Sequence, residues 1–175
     1  MSVETMQQLF FEELKDLYSA EKQITKALPK LAKAAKSEEL RSAFENHLRE
    51  TQQQVERLER IGEMAGKNLS GKTCNGMKGL LEEGSEMVEE MEKGELRDAA
   101  LISAAQRVEH YEMAGYGTVR EYARLLEMPQ AATLLDETLK EEESADQKLT
   151  SISKRVNAEA KRITNGAHTK KAKIA

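Results

Sequence analysis

Lys67-Asn68-Leu69-Ser70-Gly71-Lys72-Thr73-Cys74-Asn75 interrupts an otherwise helical chain, and what it separates decides the fold. The stretch is polar, carries a glycine and has no apolar period, so it reads as a loop. An amphipathic segment follows from about Met77 to Met91, with Leu80, Leu81, Met87, Val88 and Met91 on its apolar side, and Gly94 closes it.

Two long helical patterns lie on each side of this region. Upstream, Thr5-Met6-Gln7-Gln8 is a capping box, after which Phe10, Leu14, Leu17, Ile24, Leu28 and Leu31 recur at helical spacing. Pro29 predicts a bend near residues 25–28 and not a stop, because the stripe continues through Leu31. Ser37 caps a second helix whose seam is Leu40, Phe44, Leu58 and Ile61, ended by Gly66. Downstream, a helix from about Glu95 to Glu127 carries Leu101, Ile102, Ala105, Val108, Val119 and Leu126, and Pro129 marks its turn. The last runs from about Gln130 to Ile163 along Leu135, Leu139, Leu149, Ile152 and Val156. Residues 164–175, with Lys170, Lys171 and Lys173, are expected to form a basic, disordered tail outside a single 1–163 domain.

Connection lengths then set the architecture. Two or three residues join the helices within each long pair, so each pair is antiparallel. About 28 residues lie between the pairs, enough to travel the ~40 Å of a helix at 1.5 Å rise per residue. The middle two long helices can therefore run parallel. The expected fold is all-α: a ferritin-like antiparallel four-helix bundle with one long crossover that carries a short extra helix.

Composition agrees and excludes several functions. Charged residues make up 33% of the 175 and aromatics 4%, with ten glycines and two prolines, which disfavours sheet and collagen-like folds. The formal charge of −4 implies no general attraction to nucleic acid or membrane surfaces. A single Cys74 cannot form an internal disulfide and fits a reducing compartment, so a cytoplasmic protein is expected. No apolar run approaches the ~18 residues of a membrane span, and no signal segment is expected.

The informative feature is where the apolar seams break. Glu21 interrupts the first helix, and His47, Thr51 and Gln54 interrupt the second, with Glu50 alongside. Glu109, Glu112 and Tyr116 follow Ala105 in the third, and Glu142, then Asp146, follow Thr138 in the fourth. At 1.5 Å rise per residue, Glu21 and Glu50 differ in level by only ~3 Å, and Glu109 and Glu142 fall within roughly a turn of them. One carboxylate from each long helix converges on one layer. Buried ionised carboxylates cost several kcal/mol each and repel one another, so something positive must join them. Shared protons could serve, as could Arg57 and Arg107; a pair of metal ions would neutralise the whole layer, and hard oxygen ligands suit Fe or Mn. The candidate ligands are Glu21, Glu50, Glu109, Glu112, Glu142, Asp146 and His47. A hydrogen-bonded core histidine has the same pattern as a ligating His47, and His110, about 100° round the helix from Glu109, suits an outer position better.

The segments Asp16-Leu17-Tyr18-Ser19-Ala20-Glu21-Lys22-Gln23-Ile24, His47-x-x-Glu50-Thr51-x-x-Gln54 and Val108-Glu109-His110-Tyr111-Glu112, with Glu141-Glu142 and Asp146, resemble the YciE/YciF stress-protein family of the ferritin-like superfamily. The resemblance covers about residues 5–160. It implies a ferritin-like homodimer with two Fe or Mn ions per chain and a stress-response role, the compatible chemistry being reaction with peroxide or oxygen, or ferroxidation. The alternative is a non-enzymatic, stress-induced helical interaction protein whose carboxylate layer is vestigial. Two departures from the Glu-x-x-His pattern of di-metal bundles bear on this: three residues after Glu50 stands Gln53, with His47 one turn before instead, and three after Glu143 stands Asp146.

Overall fold

The computed structural model describes residues 3–171, with side chains as far as Ile163. Among the described residues the order is α1 Met6–Ala34, α2 Glu38–Met64, α3 Asn75–Glu90, α4 Glu95–Leu125 and α5 Pro129–Lys171. Helix α1 starts where the capping box predicts: Gln8 N donates to Thr5 Oγ1 and Thr5 N donates to Gln8 Oε1, both at 3.1 Å. Pro29 sits inside α1 without ending it. Helix α2 ends as Gly66 turns to φ +62°, a left-handed conformation that glycine reaches without a Cβ clash.

Boundaries of α3, α4 and α5 differ from the sequence expectation, α4 ending at Leu125 and not near Glu127. Helix α3 begins at Asn75, because the Cys74 Sγ caps it by accepting from Met77 N at 3.3 Å. Helix α5 takes up Pro129 as its first residue, a position where the missing N–H has no intrahelical partner to lose. Its backbone stays helical to Lys171, past the expected end at Ile163; the rest of the expected tail, residues 172–175, lies outside the described residues.

The first turn of α4 shows which helix ends meet. Asp98, 1% exposed, accepts from Lys36 N at 2.8 Å and Ser37 N at 2.7 Å. Arg97 donates to Ala34 O at 2.9 Å and to Met91 O at 3.2 Å. Two adjacent side chains thus satisfy backbone groups at the end of α1, the start of α2 and the end of α3. Helix α4 therefore starts beside the α1–α2 turn, so α2 and α4 are parallel. At the same end Arg155, late in α5, reaches Ser37 Oγ and Glu39. This is the ferritin-like four-helix bundle with a long crossover, whose α3 packs on α4 and α1. No helix among the described residues is long and apolar enough to cross a membrane.

The core is divided into two apolar compartments. One, near the α1–α2 turn, is built from Ile24, Leu28, Leu40, Phe44, Leu101, Ile102, Leu149 and Ile152. The other, near the α4–α5 turn, is built from Phe10, Leu14, Leu17, Leu58, Ile61, Val119 and Leu135. Gly115 lets α4 approach α1 between them: a Cβ there would stand 2.7 Å from Leu17 Cδ2, whereas one at Gly117 would meet nothing within 4 Å.

Candidate metal centre

Each long helix turns buried polar side chains inward between the two compartments: Glu21 from α1, His47, Thr51 and Gln54 from α2, Glu109 and Glu112 from α4, and Thr138 and Glu142 from α5. Spacings of three, four and seven residues keep each set on one helix face, so continuation of the apolar stripe carries the polar groups into the centre. Thr51 donates back to His47 O at 2.8 Å, leaving its methyl group to the core and asking nothing of the carboxylates.

His47, Glu109, Glu112 and Glu142, all buried, each offer one donor atom within 4.8 Å of all the others. His47 Nε2 lies 3.4 Å from Glu109 Oε1 and 3.7 Å from Glu142 Oε2. Glu21 joins the layer from the far side, facing Glu112 and accepting a short hydrogen bond from the Tyr116 hydroxyl. Glu50 and Asp146 fall outside the four-donor set. Glu50 is 47% exposed in its side chain, with Oε2 at 3.5 Å from His47 Nδ1. Asp146 accepts from Gln106 Nε2 at 2.9 Å and has His110 Nε2 at 3.5 Å, which puts His110 outside the layer as its helical position predicts.

Burial governs the electrostatics. It pushes the Glu21 carboxyl up to about 7, against the Tyr116 hydrogen bond and the His47 charge, which pull it down. It also raises Glu109, and it raises Glu112 and Glu142 well above the ordinary carboxylate range, where the charge of their acidic neighbours adds to the effect. Burial opposes the protonated form of His47, yet Glu109, Glu50 and Glu21 outweigh it and the net shift is upward.

The two arginines that could have neutralised the layer are committed elsewhere. Arg57 grips Glu141 with two hydrogen bonds of 2.6 Å, and Arg107 pairs with Glu83 at 3.1 Å near the surface. Neither nitrogen of His47, neither oxygen of Glu112 or Glu142, and neither Glu21 Oε2 nor Glu109 Oε2 has a hydrogen-bond partner. A buried polar atom without a partner costs ~1–3 kcal/mol, so the layer needs either protons shared between its carboxyls or a bound group to join them. Three oxygen-donor carboxylates and one imidazole are a donor set able to hold a metal ion.

Sequence reasoning missed the clamp on Glu141, to which Gln54 Nε2 also donates at 3.0 Å. Gln54 and Arg57, three apart on α2 and beyond Thr51, share a face, but the spacing does not say which carboxylate they meet. It also missed a chain of contacts beside α3, in which Tyr111 donates to Asp16 Oδ2 at 2.7 Å with Cys74 Sγ 2.9 Å from the same hydroxyl. Nothing local in the sequence pairs residues so far apart.

Comparison with known proteins agrees with this architecture. The chain is 49% identical over 169 residues to Protein YciF of Escherichia coli strain K12, covering 95% of this chain and 100% of that one. The crystal structure of the Escherichia coli stress protein YciF superposes with a TM-score of 0.86 at 46% identity, over 89% of this chain and 99% of that one. YcfI of Rhodopseudomonas palustris gives 0.82 at 40% identity, over 85% and 95% of the respective chains. A Xanthomonas campestris protein at 17% identity, with a TM-score of 0.73 over 92% of this chain and 99% of that one, shares the fold. The model of the family described as a domain of unknown function, DUF892, matches residues 5–161, and with these relatives it shows that the chain belongs to that YciF-like family.

Proposed function

We propose that the chain is a di-metal carboxylate protein of the cytoplasm, acting as a homodimer in a stress response, with two Fe or Mn ions per chain that react with peroxide or oxygen. The observation that carries this reading is the set of buried donors on His47, Glu109, Glu112 and Glu142, which converge within 4.8 Å of one another and, Glu109 Oε1 apart, have no hydrogen-bond partner. The stress role is supported by the likeness to a relative called a stress protein.

His47, Glu109, Glu112 and Glu142 would hold one ion, and Glu21, next to Glu112, extends the donors toward a second. Ions bound there would supply one-electron redox change and Lewis acidity. The Tyr116 hydroxyl fixes one oxygen of Glu21 and turns the other toward Glu112. The apolar compartments at either end keep bulk water out of the layer, which strengthens every electrostatic contact inside it.

A second reading has an observation of its own. Glu21 with Glu112, and Glu109 with Glu142, face each other closely enough to share protons, so a metal-free layer could be neutral in a purely structural protein. The two are separated by loading metal-free protein with Fe(II) or Mn(II) and measuring both metal per chain and peroxide consumption. Close to two ions per chain, with peroxide consumed only by loaded protein, supports the first. Well under one ion per chain, or equal peroxide consumption with and without metal, supports the second.

A further inference from the structure

A cavity of about 100 Å³ opens from the surface between α2 and α5 beside the carboxylate layer, with room for a few water molecules. His47 and Glu109 form its inner end, and both carry buried polar atoms without partners. The exposed Ser144 and Lys148 and the half-buried Asn46 and Glu50 form its mouth. Glu50 spans the two: half its side chain meets solvent, while its Oε2 lies 3.5 Å from His47 Nδ1. On the opposite imidazole nitrogen, His47 Nε2 is 3.4 Å from Glu109 Oε1. A single histidine ring therefore separates a solvent-facing carboxylate from the buried ones. The larger apolar groove between α1, α3 and α4 reaches Val108 but none of the four donors, so it offers no comparable way in.

We propose that this cavity is the port of the centre: Glu50 captures cations at its mouth and hands them past His47, and Lys148 opposes their entry. This rests on the reading of the layer as a metal site. A charged group at the mouth of a narrow, low-dielectric cleft changes the local ion concentration and hence the association rate, and it does so without being a ligand in the final complex. A cavity of this volume has room for ions, water, peroxide or oxygen.

The test is stopped-flow uptake of Co(II) by metal-free, full-length protein, read by the visible absorption of the bound ion, with endpoint metal content measured in parallel. Glu50→Gln is expected to slow uptake roughly ten-fold at unchanged final stoichiometry, and Lys148→Gln to speed it roughly two- to three-fold. Both differences should shrink at about 1 M salt, where exposed charges are screened. A lower endpoint in Glu50→Gln would make Glu50 a ligand and overturn the proposal, as would rates unaffected by either change. Should Glu50→Gln fail to fold, the exposed Lys148 change decides alone: faster uptake supports the port and an unchanged rate overturns it. Wild-type protein that takes up no Co(II) overturns the metal reading and the port together, an outcome distinct from wild-type uptake that neither variant alters.

Discussion

Glu141 and Glu142 are neighbours on α5, and the bundle treats them in opposite ways. Glu141 keeps 27% of its side chain exposed and receives two hydrogen bonds from Arg57 and one from Gln54. Glu142 is fully buried, beside Glu109 and His47, and neither of its oxygens has a donor. Where this chain means a carboxylate to rest on a protein cation, it provides a well-shaped one from the facing helix α2. At Glu142 it provides no such fork, and it places two more acids and an imidazole around the carboxylate. The arginine fork stands close to the layer, within reach of Thr138, yet is turned from its carboxylates.

The largest effect that sharpens this contrast is expected from Glu142→Gln. Loss of the central donor should weaken metal binding by at least about 100-fold, the upper range for a change one shell further out. The metal-free protein should become more stable, because the amide needs no neutralisation; equilibrium dialysis and thermal melts read the two arms. Metal binding that survives this change breaks the contrast.

The next effect is set by pH. Glu21 titrates at about 7 in the folded protein and Glu109, Glu112 and Glu142 are also raised, so the metal-free fold holds more protons than the unfolded chain. Stability is then greatest below the unfolded carboxylate range near 4.5 and is lost as pH rises through the folded values. His47, also raised, has the same sign. Glu50, held low chiefly by the His47 imidazole beside it, has the opposite sign, but it is half-exposed and screened. Metal-free protein should melt about 5–10 °C lower at pH 8 than at pH 5, and saturating metal should remove the difference. A melting temperature that rises with pH in the absence of metal contradicts the account.

On the other side of the comparison, Arg57→Met should destabilise by about 1–2 kcal/mol, between the values for exposed and buried ion pairs, and leave metal stoichiometry untouched. Denaturant melts with parallel metal analysis check it. The smallest effect is expected from Tyr116→Phe, which strips Glu21 of its one donor at a cost of about 1 kcal/mol and raises the Glu21 titration further. Carboxyl titration followed by infrared spectroscopy would show it.

The bundle was legible because its signals are local or periodic. The Thr5 cap, the Gly66 stop and the loop over 67–74 act on backbone within a few residues, and the apolar stripes persist over many turns. The ends of α3 and α5 were read less well, since a cysteine cap on α3 and a proline at the first position of α5 are weak signals. In the layer, heights along straight helices brought Glu21, Glu109 and Glu142 together, and the 1.5 Å rise suffices for that. Height says little about rotation, however. Glu50 stands at the right level yet leans toward the surface, because the inward line of α2 passes through His47, Thr51 and Gln54. Asp146 is likewise turned toward Gln106 and His110. The choice of Arg57 for Glu141 over Glu142 depends on side-chain reach across two helices, which no spacing rule encodes.

The central claim, that the layer is completed by metal, is tested most directly by anomalous diffraction from crystals of protein loaded with Mn(II) or Fe(II), collected on both sides of the metal absorption edge. The account predicts an edge-dependent peak within coordination distance of His47, Glu109, Glu112 and Glu142, with a second peak toward Glu21. A layer with no such peak at saturating metal, its carboxyl groups drawn into closely hydrogen-bonded pairs, would contradict it.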